Sequence, residues 1–485
     1  VPTETNLLAG YPAELAVPAE AVARTVEGRI FVVLDDDPTG TQSVADLPVL
    51  TRWETEDFTW AYGEGKPAVY VLTNTRSLDP AEAAARNEEV VRNALDAAAR
   101  LGSDLQVSFV SRSDSTLRGH FPLEPDVIAA TVAEASGEAT DGVVIIPAFP
   151  DAGRVTIGGV HYMRGTADEL IPVAETEFAK DASFGFSNSA LPKYVEEKSG
   201  GRFPADSVIV LDLNIIRAGS QANDPAVSAT AIADAIGAAT DSTPIVADIV
   251  TENDLRALSL GLAEAERRGK RLLYRVGPPF MRGRIGQDVR KPLTSEEAFP
   301  GGTNPSTAGG LIVVGSHVGV TTRQLNVLTS EHSSARIIEI DVERLLTEGA
   351  ESYLDEVVRD VTTALDGADV IVHTSRLLVR TDDPAESLRI ARTVSAAVVD
   401  VVNRTLKAFP PRFVIAKGGI TSSDVAAHGL EIRHAIVRGP MLPGIVSLWA
   451  PVDGPAKGIP YIVFAGNVGD DRSLADVTRK LSTTF

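Results

Sequence analysis

Three consecutive acids, Asp35, Asp36 and Asp37, close the apolar run RIFVVLDDD and lead into Pro38-Thr39-Gly40. Adjacent carboxylates repel one another, so at least one should hold a proton more tightly than a lone aspartate, which suits a general base. Gly40 permits a tight turn just after them. A second cluster, SRSDSTLRGH (111–120), follows the apolar run QVSFV and gathers Arg112, Asp114, Ser115, Arg118 and His120. Two guanidinium forks can grip a carboxylate through paired hydrogen bonds. Asp114 and the neighbouring hydroxyls can read the hydroxyls of a sugar. A third segment, PAFPDAGR (147–154), offers Asp151 and Arg154 to the same pocket, with His161 and Tyr162 beyond it. The structural alternatives are a capped loop with solvated acids at 35–37, an Arg–Asp ion pair within 111–120, and a core role for His161.

The back of the chain has three glycine-containing turns after apolar runs: GSHVGVTTRQL (315–325), AKGGITSSD (416–424) and AGNVGDD (465–471). Thr321 and Gln324 have capping-box spacing. Lys417, Gly418, Gly419 and Thr421 stand where backbone N–H groups at a helix start would meet phosphate. Each turn is weak evidence by itself; three together point to a nucleotide site. Neither G-x-x-x-x-G-K-[ST] nor G-x-G-x-x-G occurs at these turns.

These turns need strands to present them. Short apolar runs at 29–37, 68–75, 106–110, 142–148, 207–213, 244–250 and 271–277 alternate with helical patterns. The segment 80–101 reads as a helix opened by Asp79-Pro80 and closed at Gly102. Alternation of this kind predicts an α/β protein with mainly parallel sheets flanked by helices, and ligands at the strands' C-terminal ends. The pattern breaks over the Gly/Pro-rich stretch 276–310 and restarts at 311–316, 336–342, 369–375, 412–419 and 461–466. The expected organisation is an arm at 1–27, a first domain at 28–275, a linker at 276–310 and a second domain at 311–485. The active site is expected in the cleft between the two domains.

The 485 residues carry 66 acidic and 45 basic side chains, a net charge of −21. That field repels nucleic acid and anionic lipid, so neither is an expected partner. An anionic ligand would need locally concentrated positive charge. There is no cysteine, which excludes disulfides, thiolate metal sites and thiol nucleophiles. No apolar run reaches the ~20 residues of a membrane helix, and the N-terminus lacks a signal-peptide pattern. A soluble, cytoplasmic protein is expected. The sequence leaves the oligomeric state open, a homodimer included.

The D-D-x-T-G turn (Asp36, Asp37, Thr39, Gly40) and the D-S-T-L-R-G run (Asp114 to Gly119) resemble those of the four-carbon acid sugar kinase family. So do the turn Gly315-Ser316 with Thr322 and Gln324, the pair Gly418-Gly419, and the turn Gly466-Asn467-x-Gly469. The resemblance covers about residues 30 to 480. It departs at Thr41, where the family commonly has alanine, and at Ile420, where it commonly has an acid. It implies a substrate-binding first domain, a nucleotide-binding second domain, and ATP-dependent phosphorylation of compounds such as erythronate, threonate or their oxo forms. On that reading Arg112, Asp114, Ser115, Arg118 and Arg154 bind the acid, and Asp37 or Asp36 takes the hydroxyl proton. Ser316, Thr322, Gln324, Lys417, Gly418, Gly419, Thr421, Gly466, Asn467 and Gly469 hold the nucleotide. Mg²⁺ accompanies the phosphates on ligands the sequence does not identify. Two rivals remain: a haloacid-dehalogenase-type phosphatase using Asp35 and Asp37, and a non-catalytic sensor of sugar acid or nucleotide.

Overall fold

Strands that are apolar on both faces are stable only where a sheet is covered on both sides. The computed structural model describes residues 2–102, 105–300, 308–375 and 384–485. It divides into two units, one formed by Val1–Leu47 with Trp53–Val289, the other by Pro48–Arg52 with Arg290–Phe485.

In the first unit the parallel strands run in the order Ala68–Leu72, Arg29–Asp35, Gln106–Arg112, Leu272–Val276, Gly142–Ile146, Thr243–Ala247 and Ile209–Leu211. Their register decides where the chemistry falls. Asp35 lies opposite both Leu72 and Arg112, Arg112 opposite Val276, and Val276 opposite Ile146. The turns that follow these strands therefore share one edge of the sheet. The helix Pro80–Leu101 starts and stops as its sequence dictates. The Asp79 side chain accepts from the Glu82 amide, Pro80 occupies the first turn, and the chain leaves at Gly102 with φ +121°.

Three features differ from the sequence reading. Residues 154–172, to which the sequence pattern assigned no element, form an antiparallel sheet of Arg154–Ile157, Val160–Arg164 and Leu170–Pro172. The front of the chain packs rather than trailing as an arm: Leu15, Val17 and Val22 are buried, and Leu7, Leu8 and Tyr11 pack against Val155, Tyr162 and Leu170. The stretch 276–310 is largely built in, although its residues 301–307 lie outside the described ones. Helix Phe280–Arg284 is buried throughout, and a Cβ on Gly286 would fall 2.3 Å from the Ala19 carbonyl oxygen. Glycine there serves close backbone packing rather than a solvated tether.

In the second unit the parallel strands run Arg336–Ile340, Val370–Thr374, Leu311–Val314, Val414–Lys417 and Tyr461–Phe464. The antiparallel pair Ile445–Pro451 and His434–Leu442 extends that sheet. Residues 48–52 from the front of the chain join this unit, where the Thr51 amide donates to the Arg433 carbonyl at 3.2 Å. A core of Ile312, Leu325, Phe413, Ile415, Phe464 and Leu474, among others, lies against the sheet.

Candidate functional site

The acid turn begins where Asp35, at the strand end, is sealed under Gly40. A Cβ on Gly40 would fall 2.4 Å from both Arg112 Nε and Asp35 Oδ1, so only glycine fits. Asp35 accepts a hydrogen bond from Arg112 Nε. Burial pushes Asp35 up to about 7, an effect the Arg112 guanidinium opposes and the carboxylates of Asp36 and Asp37 reinforce. Arg112 also donates to the Asp37 carbonyl and is only 2% exposed. The structure thus corrects the expectation that Arg112 grips a ligand carboxylate: its fork is spent holding the acid turn from below.

Asp36 is also buried, yet charged. Arg76 meets it with two hydrogen bonds, Nη2 to Oδ1 at 2.6 Å and Nε to Oδ2 at 3.2 Å. The Ser113 hydroxyl adds a third at 2.7 Å. Burial alone would raise Asp36, but Arg76 and Arg112 outweigh it and hold the carboxyl below its usual range. Asp37 is the open member, with a side chain 19% exposed. It accepts from the Thr39 amide at 2.9 Å and from the Thr39 hydroxyl, and Arg76 Nη1 lies 3.7 Å away. Of the two proposed bases, Asp37 alone has a carboxylate that solvent reaches.

The loop after Arg112 doubles back tightly. Gly119 has φ +126°, and a Cβ there would lie 2.4 Å from Ser113 Oγ, 2.8 Å from Arg275 Nη2 and 3.1 Å from Asp36 Oδ2. Leu117 has φ +70°, a conformation uncommon for a residue with a side chain. Asp114 accepts from Arg118 Nε at 2.7 Å and from the Thr116 hydroxyl. Burial would raise Asp114, but Arg76 and Arg118 hold it far below the ordinary carboxylate range. Arg118 lies over the Phe178 ring at 5.0 Å, with Asp181 at 3.8 Å. Ser113, Asp114, Arg118, Tyr194 and Arg275 line a small pocket of about 20 Å³.

Arg154 differs from the other guanidinium groups. Its Nε is buried without a hydrogen-bond partner. Burial lowers its affinity for its proton, opposed by the field of Asp114 and reinforced by that of Arg118. Asp151, expected at the same pocket, is paired with Arg282 at 2.9 Å. Ser115 is buried, and its carbonyl accepts from His161 Nε2 at 2.7 Å. His161 has its other nitrogen on the Thr156 hydroxyl at 2.9 Å, and burial pushes it down to about 4. It is a neutral core histidine. His120 is likewise buried, with Nε2 at 3.0 Å from the carbonyls of Thr75 and Leu78.

Arg76 and Ser113 were missed by the sequence reading. The signal for Arg76 was available: TNTR follows the apolar strand Ala68–Leu72 just as DDDP follows its neighbour. Asn74 turns that corner in the left-handed region, at φ +53°.

In the second unit, Val314, Lys417 and Phe464 lie side by side in register, so the three glycine turns meet at one edge. The amides of Gly315 and Ser316 donate to the Lys417 carbonyl at 3.1 and 3.3 Å, and the Gly418 amide donates to Phe464 at 2.8 Å. A Cβ on Gly315 would fall 2.1 Å from the Thr421 hydroxyl, and one on Gly466 would fall 2.7 Å from that of Ser316. Ser316, Gly418, Gly419, Thr421 and Gly466 are therefore one cluster. Asn467 is exposed beside them, and Gly469 has φ +83°. Thr322, on the first turn of helix Gly319–Glu331, points its hydroxyl back to the Val318 carbonyl at 3.5 Å.

Two expectations change here. Thr321 and Gln324 do not cap a helix: the cap is Val318, which contributes no side-chain bond. Thr321 instead holds the Gly466 carbonyl at 2.8 Å, and Gln324 holds those of Val468 and Asp470 at 3.0 and 2.7 Å. They brace the last turn from inside. Lys417 is fully buried, its Nζ 2.6 Å from the Ala465 carbonyl and 3.9 Å from the centre of the Phe464 ring. Burial pulls its ammonium down to about 7. It ties two strand ends together instead of adding charge at the surface.

The phosphatase reading needs Asp35 as an open nucleophile, and Asp35 is 2% exposed beneath Gly40 and Arg112. No helix among the described residues is long and apolar enough to cross a membrane.

Known proteins divide the chain in the same order. Residues 31–284 match the model of a sugar-binding N-terminal domain, and residues 311–474 that of a nucleotide-binding C-terminal domain. The chain is 28% identical over 391 residues to the D-threonate kinase of Cupriavidus necator, covering 77% of this chain and 80% of that protein. It is 25% identical over 323 residues to the D-erythronate kinase of Heliobacterium modesticaldum, covering 65% of this chain and 63% of that protein, so the match spans under two thirds of the relative's length. A solved Salmonella typhimurium LT2 chain superposes with a TM-score of 0.65 at 18% identity, covering 93% of this chain and 99% of that one. A Haemophilus influenzae chain does so with a TM-score of 0.60 at 17% identity, covering 93% and 100%. Those two likenesses concern the fold. With both domain models matched in order over most of its length, the chain belongs to the four-carbon acid sugar kinase family.

Proposed function

We propose that this chain transfers the terminal phosphate of ATP to a hydroxyl of a small four-carbon sugar acid of the erythronate, threonate or oxo-tetronate type, in the cytoplasm. The observation that carries the reading is Arg154. It is a half-buried guanidinium whose Nε is sealed from solvent without a partner, and no acid lies within ion-pair distance of it among the described residues. In a chain of net charge −21, such a group is best explained as a charge reserved for an anionic ligand. Arg118 adds a second guanidinium, and Asp114 reads hydroxyls beside it.

Asp37 accepts the proton of the attacking hydroxyl. The hydroxyl oxygen bonds to the terminal phosphorus, the bond from that phosphorus to its bridging oxygen breaks, and ADP leaves. Asp36, held charged by Arg76 and Ser113, keeps the turn in place. In the second unit, the amides of Gly419 and of the turn Gly466–Gly469 are the phosphate donors, with the hydroxyls of Ser316 and Thr421 beside them. Lys417, Thr321 and Gln324 act on the nucleotide only by shaping those turns. Among the described residues no three His, Asp or Glu side chains converge on a cation site. A magnesium ion on the phosphates, as phosphoryl transfer normally requires, would neutralise charge at the group in transfer.

The test is ADP release from Mg²⁺-ATP across D-erythronate, D-threonate, their enantiomers and their oxo forms. Release that depends on one of these acids is expected. No acid-dependent release from folded protein, or tight binding of both ligands without ADP, overturns the proposal; the latter favours the sensor.

A further inference from the structure

A second cavity, of about 510 Å³, lies in the first unit away from the acid turn. It is lined by Arg29, Gln106–Phe109 and Leu272-Leu273, the opening residues of strands whose far ends carry Asp35, Arg112 and Val276. It therefore sits at the opposite edge of the sheet. Its origin is a split between strands. Gln106–Arg112 pairs with Arg29–Asp35 along all of its residues, but with Leu272–Val276 only from Val110 onward. Beside Val107–Phe109 the sheet has no strand partner on that side. The side chains of helix Leu123–Ser136, Ile128 and Val132 among them, wall the gap.

The charge in this cavity runs against that of the protein. Arg29, Lys270 and Arg271 line it, with Glu138 and Glu266. Glu266 is shared: it accepts from the Tyr274 hydroxyl, Arg29 Nη1 is 3.4 Å from it, and wholly buried Arg284 is bonded to it at 2.7 Å. Among the described residues Arg29 otherwise donates only to neutral groups, the Ser108 hydroxyl at 2.6 Å and Gln106 Oε1 at 3.3 Å. Arg284 has two further nitrogens, Nε and Nη1, without an acceptor. Two guanidinium groups thus divide one carboxylate. Among the described residues Lys270 reaches only a carbonyl, that of Ala239, at 2.8 Å, while Arg271 pairs with exposed Glu138 at 3.3 Å. The floor carries surplus positive charge, and its walls are Phe109, Val132 and Leu272.

We propose that this cavity is a second ligand site for a small amphipathic anion. A carboxylate or phosphate head would meet Arg29 and Arg271, and an apolar body would pack on Phe109, Val132 and Leu272. The inference is independent of the kinase reading. Calorimetric titration of the full chain tests it, with phenyl phosphate as probe, phenylacetate as its carboxylate counterpart, and inorganic phosphate as the head alone. One saturable site for at least one aromatic anion is expected, tighter than for inorganic phosphate. Arg29→Gln should weaken it about tenfold, the loss of one charge-assisted hydrogen bond. Val132→Trp, which fills the wall without altering charge, should abolish it, and Arg118→Gln at the acid pocket should leave it unchanged. Thermal unfolding confirms that each variant is folded; if Arg29→Gln is not, Arg271→Gln takes its place. No saturable binding of either aromatic anion, inorganic phosphate binding as tightly as they do, or binding lost in Arg118→Gln but kept in Val132→Trp overturns the proposal.

Discussion

Replacing Arg76 with Gln removes the cation that meets Asp36 through two hydrogen bonds, at 2.6 and 3.2 Å. The two side chains are 19% and 2% exposed, so solvent cannot take over the charge. What remains near Asp36 is the Ser113 hydroxyl, the field of Arg275 and Arg112 Nη2 at 3.7 Å, and Arg112 is already engaged by Asp35. Breaking one side of a buried pair costs about 3–5 kcal/mol; the partial exposure of Arg76 favours the lower end, about 3 kcal/mol. The pH dependence has a definite sign. In the native protein Asp36 lies below its unfolded range, so its contribution is complete above the unfolded value and disappears as pH falls through the lower folded one. In Arg76→Gln burial is opposed only by Arg112 and Arg275 and the carboxyl rises, so Asp36 contributes less to folding at neutral pH. The difference between the two proteins should be largest near pH 7 and shrink below about pH 4. Urea unfolding at several pH values, followed by a first-unit probe, measures this. A difference under about 0.5 kcal/mol at pH 7, or one that does not change with pH, would refute the reasoning.

Gly119→Ala places a methyl group 2.4 Å from Ser113 Oγ in a backbone at φ +126°. The strain costs about 1–3 kcal/mol, and displacement of Ser113 from Asp36 should lower turnover along with stability. Asp37→Asn should abolish ADP release while nucleotide affinity, measured by calorimetry, stays within about twofold; lost nucleotide binding in folded protein would place that acid elsewhere. For Lys417, whose folded value is depressed to about 7 by burial, the unfolded chain binds the extra proton between that value and the ordinary lysine range. Stability of the second unit should therefore rise as pH increases from 7 towards 10, and Lys417→Met should flatten that rise in denaturant titrations. An unchanged slope would show that the lysine is not the titrating group.

Much of the architecture was legible along the chain. Runs such as RIFVVLD and LIVV are apolar at consecutive positions, which only a strand covered on both faces tolerates. The Asp79-Pro80 and Gly102 signals mark the ends of one helix through local bonds alone. Polar turns after apolar strands located both candidate sites, because parallel strands bring such turns to one edge. Less visible were residues 48–52, which join the second unit, and the antiparallel sheet at 154–172. The first depends on partners distant in sequence; the second pairs near neighbours about the turn Gly158-Gly159, a local hairpin signal that the reading passed over.

The same distinction runs through the site. Residue type and spacing identified the acids and arginines, since those are properties of neighbouring positions. Which charges are neutralised and which stay available was settled by folding. Arg112 meets Asp35 across 77 residues and is sealed away, whereas Arg76 meets Asp36 across 40 and becomes the clamp. Arg154 reaches no acid at all among the described residues. In one dimension these three arginines look alike. Strand register separates them, because a buried ion pair forms only where two chain-distant side chains are set within a few ångströms of each other and water is excluded.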